Sequence, residues 1–387
     1  MAGYLKNIAA IILGFVLSIL VLLVLDRLFV LNLEFMLKHS SVTTLSPTLQ
    51  NLQISASEIL QKSVLDSYSK IPKINPLRSY QLEYPKFQEK TDNAIKKIHA
   101  VLKTKENDTI YDVKYTTDLL GRRQTPRPVN KKSDTSVVFI GCSFTYGEGL
   151  NDDQTYPYFV GKLLSSDINV FNLGIRGAGP NDILFDLEQR HPDFFDIPAK
   201  KIILVYGFIS NHLERISCSY RCYGSQNWLL EKPKYIMENG QAVWAGNFKD
   251  DYSNPLIGSI LRLFYFTTKA EVPLNLTTVE SKENIILYYK ILEKIHKKLN
   301  KKYEIVANYS VYLNMFSNAQ SLINKMEEAN ATNLFKPIII PYPELAAKTD
   351  FNSFFIPIDR HASSFSNEVT AMGTYLRLKK DLPFLIH

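Results

Sequence analysis

This sequence has few cysteines and no long run of residues with the same charge. Three cysteines in 387 residues are too few for a disulfide-built scaffold, and no group of Cys and His has the spacing of a zinc site. No run of five or more basic residues occurs and the net charge of +7 is modest, so a nucleic-acid-binding protein is not indicated. We therefore expect no metal, no cofactor and no nucleic-acid partner.

One long hydrophobic run stands near the N-terminus. Ile8–Leu25 is eighteen residues without a charge, about the length of helix that crosses a bilayer core. The run is longer than the apolar part of a cleavable signal peptide, so we predict a single-pass signal-anchor helix within residues 1–31. Lys6 on one side and Arg27 and Lys38 on the other hardly decide its orientation. A single span before a long soluble region most simply places that region outside the cytoplasm, in a periplasm or the extracellular space.

Residues 32–110 are polar, and proline-bearing segments separate stretches of helical pattern. Two of these stretches are Ser57–Tyr68 and Phe87–Lys103. They predict a helical stalk or small subdomain that lifts the rest of the chain off the membrane.

Residues 111–387 alternate between short apolar runs and amphipathic stretches. Such runs, bounded by turn residues, are typical of buried parallel strands, and the stretches between them are typical of covering helices. The predicted fold class is α/β, a flavodoxin-like three-layer α/β/α sandwich with a parallel sheet. The predicted strands are Val137–Ile140, Asn169–Asn172, Ile202–Tyr206, Glu304–Ala307 and Pro337–Ile340; the predicted helices are Tyr156–Leu164, Asn181–Gln189, Ser281–Asn300, Asn318–Ala331 and Ser366–Lys379.

An aromatic-rich insertion at about residues 216–277 interrupts this alternation. Within it, Tyr235–Trp244 carries an Asn-Gly pair that predicts a hairpin with a two-residue turn. The aromatic side chains of the insertion, Trp228 among them, suit either a sugar-stacking or acyl-binding wall or the small core of the insertion itself. Cys218 and Cys222 are close enough to pair in an oxidising compartment, and the sequence leaves open whether they do.

The turn after the first predicted strand carries a candidate nucleophile. Val137–Ile140 is followed by Gly141, which breaks the strand, and Ser143 comes two residues later. Ligands bind at this edge of open α/β sheets. Ser143 is therefore either a nucleophile or a helix-capping serine in a tight turn, and this segment alone favours neither.

Further polar groups follow later strand ends in an order that suits acyl transfer chemistry. Gly177 follows the second strand and Asn211 the third, and each offers an N–H donor. Asp359 and His361 stand just before the last helix. Taken alone, His361 is interpreted as a surface residue that caps that helix, but together with Ser143 and Asp359 it is interpreted as a catalytic base.

With these residues in place, the sequence resembles the SGNH (GDSL-type) hydrolase superfamily over about residues 118–382. Gly141–Thr145 is similar to the first family block, Gly-Asp-Ser-x-[Ser/Thr]. Gly177 and Asn211 match the second-block glycine and the third-block asparagine, and Asp359 with His361 matches the fifth block.

The sequence departs from the family pattern in three ways. Asp359 and His361 are separated by one residue where many members have two, although the shorter spacing also occurs in the family. Cys142 stands where the family usually has aspartate. The third block, Gly207–His212, is two residues longer than the usual Gly-x-Asn-Asp.

The resemblance implies a serine esterase with a Ser143–His361–Asp359 triad. Its oxyanion donors would be the N–H groups of Ser143 and Gly177 and the side chain of Asn211. The expected substrate is an acyl ester of a carbohydrate or lipid, an acetyl ester being one candidate. Two alternatives remain: an O-acyltransferase that modifies a surface glycan with the same triad, and a non-catalytic glycan-binding module. Five side chains either line the mouth of the site or serve as surface and ion-pair residues: Arg122, Arg123, Arg176, His212 and Arg215.

Overall fold

The protein is described from a computed structural model, which covers residues 95–104, 107–126, 129–218, 227–252, 279–313 and 319–386. Its contacts divide the chain into two units, Met1–Pro72 and Lys73–His387, and every described residue belongs to the second. The predicted membrane anchor and the stretch Ser57–Tyr68 lie outside the described residues. Within the described ranges, no helix combines the length and the apolar character that a membrane span requires.

A five-stranded parallel sheet forms the centre of the described fold. Its strands are β3 (Thr135–Gly141), β4 (Asn169–Gly174), β5 (Lys201–Phe208), β8 (Glu304–Tyr312) and β9 (Lys336–Ile339). They lie in the order β4-β3-β5-β8-β9, and each neighbouring pair is parallel. All five predicted strands are confirmed, and so is the parallel sheet.

The described helices are α1 (Ser143–Tyr146), α2 (Tyr156–Leu163), α3 (Pro180–Phe185), α4 (Asn211–Ser217), α5 (Lys282–Leu299), α6 (Ala319–Ala329), α7 (Tyr342–Ala346) and α8 (Ser364–Asp381). The five predicted helices correspond to α2, α3, α5, α6 and α8. Only α3 differs appreciably from its prediction, because its last turn widens into a π-helix over Asp186–Arg190.

The two faces of the sheet carry separate hydrophobic cores, because successive side chains of a strand point to opposite sides. On β3, Val138 and Ile140 join the core that contains α3, α4, α5 and α6. Val137 and Phe139 join the core that contains α2, α7 and α8. The arrangement is the predicted three-layer α/β/α sandwich.

The strand order places a ligand-binding crevice between β3 and β5. The chain runs from β3 to one neighbour, β4, and then crosses to the other side of β3 to form β5. Where strand order reverses in this way, the loops after the two central strands diverge and leave a crevice at the carboxyl edge of the sheet. Ser143 follows β3 at this edge.

A two-stranded hairpin precedes the sheet and corrects one prediction. β1 (Ile95–Lys103) pairs antiparallel with β2 (Thr109–Asp118), so the helix predicted over Phe87–Lys103 is wrong for residues 95–103. The apolar residues of β1 are compatible with the spacing of a helix or of a strand. Pairing with β2 makes the segment a strand, and the burial of its side chains alternates with a period of two. The expected domain boundary at residue 110 falls inside this hairpin.

The hairpin predicted from the Asn-Gly pair is confirmed. β6 (Pro233–Glu238) and β7 (Gln241–Asn247) are antiparallel, and the turn residues Asn239 and Gly240 have φ of 50° and 72°. A turn with two positive φ values is the type that the right-handed twist of the strands prefers.

Candidate active site

Tight backbone packing fixes the turn that presents Ser143. A Cβ on Gly141 would lie 2.3 Å from the Thr145 hydroxyl oxygen, and a Cβ on Gly174 would lie 2.3 Å from the backbone nitrogen of Tyr146. Both glycines therefore let the first turn of α1 approach the sheet. The N-cap of α1 is Cys142, which makes no side-chain cap, so Ser143 is not the helix-capping serine that the sequence allowed.

Ser143, His361 and Asp359 form one hydrogen-bonded chain. The Ser143 Oγ lies 2.8 Å from the Nε2 atom of His361, and the Nδ1 atom of His361 lies 2.6 Å from Oδ2 of Asp359. The sequence separation between the serine and the histidine is 218 positions. The two distances, 2.8 Å and 2.6 Å, suit a general base that takes the serine hydroxyl proton while the Asp359 carboxylate holds its ring in place.

The surroundings of His361 favour its protonated form. Burial lowers the pKa of His361, but the hydrogen bond that its ring donates to Asp359 and the negative charges of Glu148 and Asp359 raise it by more, against a smaller opposing effect of Arg176. The pKa of His361 is therefore raised above its ordinary value. The ring also packs against Phe144, with ring centroids 5.2 Å apart.

Gly177 lies in a tight turn at the carboxyl end of the neighbouring strand. The Ala178 N–H donates to the Ile175 carbonyl oxygen at 3.0 Å, and Gly177 inside this turn has a φ of 73°, which favours glycine. The turn is tied to β3 because the Ile175 N–H donates to the Gly141 carbonyl at 2.9 Å.

Asn211 begins α4, three residues after the end of β5, and its side chain is exposed. The described hydrogen bonds do not join Asn211 to Ser143, His361 or Asp359. Its place at the carboxyl edge of the sheet follows from the topology alone.

Sequence analysis gave no role to Glu148, a carboxylate that lies beside His361. Glu148 is only 4% exposed, and its Oε2 atom lies 3.6 Å from Nε2 of His361. Its other oxygen accepts a hydrogen bond from Arg176 at 2.5 Å. The signal that could have found it is its position: it is an acidic residue five places after Ser143, in the same glycine-flanked loop.

The β1–β2 hairpin and the segment that follows it support the loop after Ser143. The Gly149 N–H donates to the Tyr115 hydroxyl at 2.8 Å, and the buried guanidinium of Arg123 donates to the Leu150 carbonyl at 2.7 Å. Tyr111 lies beside the same loop. Burial raises the pKa of the Tyr111 phenol, and the charges of Tyr115, Glu148 and Asp359 raise it further.

Four of the five residues considered for the mouth of the site make internal contacts instead. Arg122 pairs with Asp118, Arg123 with Asp152, Arg215 donates to the Ala178 carbonyl, and His212 contacts the Tyr206 hydroxyl. Burial holds the pKa of His212 well below its ordinary value, so His212 is neutral. Only Arg176, whose side chain is 47% exposed, lies next to the triad.

Among the described residues, no group of three or more His, Cys, Asp or Glu side chains is arranged to hold a metal ion. Cys142 is a free, buried thiol, and Cys218 is disulfide-bonded. Cys222 lies outside the described residues.

No protein-family model matches the sequence, and no curated protein matches it. Several solved structures do match at low similarity. A two-domain esterase active on acetylated mannans is 12% identical, with a TM-score of 0.36 over 65% of this chain and 52% of that one. A lipase/acylhydrolase from Enterococcus faecalis is 11% identical, with a TM-score of 0.33 over 64% and 96%. An acetylxylan esterase from Geobacillus stearothermophilus is 13% identical, with a TM-score of 0.33 over 63% and 94%.

The matched region spans about half the length of the mannan esterase, 52%. At these TM-scores the likeness decides neither the activity of this chain nor its substrate.

Proposed function

We propose that this chain is a serine esterase that cleaves an acyl ester through Ser143, His361 and Asp359. The observation that carries the proposal is the unbroken series of contacts from the Ser143 hydroxyl through both ring nitrogens of His361 to Asp359, at 2.8 Å and 2.6 Å. The position of the serine at the carboxyl edge of the sheet, where the strand order reverses, adds independent support.

In the first half of the reaction, His361 Nε2 takes the Ser143 hydroxyl proton while Oγ bonds to the acyl carbon. The electron pair of the carbonyl double bond moves to its oxygen, which becomes an oxyanion. The N–H groups of Ser143 and Gly177 and the side-chain amide of Asn211 are the proposed donors to that oxyanion. Collapse breaks the ester C–O bond, and the leaving alcohol oxygen takes the proton from the imidazolium.

In the second half, a water molecule attacks the acyl-serine and gives its proton to Nε2 of His361. Collapse of the second tetrahedral intermediate breaks the bond between the acyl carbon and Oγ, and Ser143 regains the proton. Asp359 accepts the Nδ1–H hydrogen bond throughout, so it keeps the ring in the required tautomer and stabilises the positive charge.

The proposed substrate is an acyl ester of a carbohydrate or lipid, on the sequence resemblance given above. Ser143 is 4% exposed, which favours a short acyl group such as acetyl over a bulky one.

The direct test is turnover of p-nitrophenyl acetate by the wild-type protein and by Ser143→Ala. We expect the variant to lose turnover by about 10⁴-fold or more, since the nucleophile is removed, while its circular dichroism stays unchanged. Ser136→Ala is a matched control, because Ser136 lies on β3, is buried, and its hydroxyl has no hydrogen-bond partner among the described residues. Equal turnover by wild type and Ser143→Ala would reject the proposal.

An O-acyltransferase would use the same three residues, with an acceptor hydroxyl in place of water. Supplying an acetyl donor with and without a soluble glycan and measuring free acetate against acetylated glycan separates the two activities. The esterase proposal requires acetate release without an acceptor. Release that depends entirely on the glycan would identify a transferase instead.

We also propose that residues 111–387 lie outside the cytoplasm, attached to a membrane by the N-terminal anchor. The charge-free run Ile8–Leu25 supports the anchor. The disulfide at Cys218 supports an oxidising compartment, where such bonds persist.

A further inference from the structure

An ion pair joins the loops that carry two of the three proposed oxyanion donors, Ser143 and Gly177. Glu148 lies five residues after Ser143, and Arg176 immediately precedes Gly177. Their side chains are 2.5 Å apart, with Glu148 4% exposed and Arg176 47% exposed. Removing one partner of a pair that includes a buried charge costs more than removing one partner of an exposed surface pair.

The same carboxylate reaches the catalytic base. Oε1 of Glu148 binds Arg176, while Oε2 lies 3.6 Å from Nε2 of His361. That nitrogen is also the one that contacts Ser143. His361 therefore has a carboxylate on each side of its ring, Asp359 at Nδ1 and Glu148 at Nε2.

We propose, resting on the esterase function above, that Glu148 is a positioning residue of this site. It stabilises the imidazolium that His361 becomes after taking the Ser143 proton, and its ion pair with Arg176 holds the Gly177 turn against the Ser143 loop. The carboxylate at 3.6 Å is too distant to compete with Ser143 for a direct hydrogen bond, so it acts through its charge.

The charged and titratable groups around His361 come from four segments. Asp359 is on its own segment, Glu148 on the loop after α1, Arg176 on the turn after β4, and Tyr111 on β2. Asp359 and Glu148 both raise the pKa of His361, and Arg176 lowers it. Tyr111 stays neutral because burial raises the pKa of its phenol.

The test measures how fast a fluorophosphonate probe labels Ser143 in the full-length chain as a function of pH, a readout that needs no substrate. Labelling requires neutral His361, so its rate falls as pH drops through the pKa of that residue. We expect Glu148→Gln to move this acid limb to lower pH, because a charge that favours imidazolium is removed. We also expect the rate on the plateau to fall, by up to about 10²-fold, as the Gly177 turn loses its tie.

Glu148→Asp keeps the charge but withdraws it by one methylene. Its acid limb is expected between those of wild type and Glu148→Gln. If Glu148→Gln does not fold, Glu148→Asp decides: an acid limb at the wild-type pH overturns the inference.

Asp186→Asn is the matched control, because Asp186 forms an equally short ion pair with Arg190 and neither residue is among the main contributors to the pKa shift of His361. This variant should keep the wild-type acid limb. An unmoved limb in folded Glu148→Gln overturns the inference while leaving the esterase proposal intact. Failure of the wild-type protein to be labelled at Ser143 overturns the esterase proposal itself.

Discussion

The pKa of His361 depends on surroundings with opposing effects. Burial disfavours the imidazolium, and the carboxylates of Asp359 and Glu148 favour it by more. The net effect is that His361 becomes protonated at a higher pH than an ordinary histidine. The geometry at single-residue scale therefore predicts the pH dependence of turnover.

We expect the acid limb of kcat/KM for p-nitrophenyl acetate to have its midpoint above about 6.5, the ordinary histidine pKa. The sign follows because only neutral His361 accepts the serine proton, and a raised pKa keeps the ring protonated to higher pH. In Asp359→Asn the hydrogen bond to a charged acceptor is lost, so the limb moves to lower pH and turnover falls by about 10⁴-fold.

Asp350→Asn serves as the control for this profile, since Asp350 caps the short 3₁₀ turn Phe351–Phe354 upstream of the triad and is not among the main contributors to the pKa shift of His361. A wild-type midpoint below that of ordinary histidine would contradict the described surroundings of the ring.

Sequence reasoning singled out Ser143, His361 and Asp359 by their residue types and order, and the structure brings them within hydrogen-bond distance of one another. It gave Glu148 no role, since a glutamate in a loop has no periodicity and its partner Arg176 is 28 positions away. The contact depends on two loops meeting at the sheet edge. A contact of that kind is set by tertiary packing and leaves no local pattern.

At the scale of elements, the site depends on how closely α1 approaches β4. A Cβ on Gly174 would lie 2.3 Å from the Tyr146 nitrogen and 2.8 Å from the Thr145 carbonyl carbon. Both contacts are with backbone, which cannot move aside as a flexible side chain can. Only glycine fits at the end of β4 while α1 stays in place.

We expect Gly174→Ala to destabilise the fold by about 1–3 kcal/mol and to lower esterase turnover by about 10²-fold, because α1 carries Ser143 and must shift. Thermal unfolding and p-nitrophenyl acetate turnover measure the two effects.

Gly373→Ala is the matched control. A Cβ there would meet only the Cδ1 end of Ile340, and alanine is the better helix former by up to about 1 kcal/mol. Its turnover should equal that of wild type. Full activity in Gly174→Ala would show that the approach of α1 to β4 does not position Ser143.

The elements themselves were predictable to different degrees. Strands buried on both faces, such as β3 and β5, read as unbroken apolar runs, which is why their positions were found. β1 pairs with one strand, β2, and has an exposed face. Its lysines and scattered apolar residues therefore fit the spacing of a helix as well as that of a strand. Pairing with β2, which is not visible in the local sequence, decides its conformation.

At the scale of the whole molecule, cysteine chemistry reports on the compartment. Of three cysteines in the chain, Cys142 is a buried free thiol and Cys218 is disulfide-bonded. We expect alkylation of the protein, purified without reductant and then unfolded, to modify one thiol, and three after reduction. Mass spectrometry counts the added groups. Three modified thiols without reduction would contradict the disulfide and weaken the proposed extracytoplasmic location.

The topology of the sheet brings the distant site residues together. Ser143 follows β3, Gly177 follows β4, and His361 precedes α8. The parallel strands thus place residues that are far apart in the sequence at one edge of the sheet. The sequence predicted this edge because it predicted the strands. The strand order, and with it the crevice between β3 and β5, came only from the structure.

The most direct measurement is mass spectrometry of the folded full-length protein after reaction with a fluorophosphonate probe. The account predicts one adduct, on the peptide that contains Ser143, and its loss in both Ser143→Ala and His361→Ala. A folded protein that carries no adduct on Ser143, or one whose Ser143 is labelled equally without His361, would contradict the proposal that the two residues work as nucleophile and base.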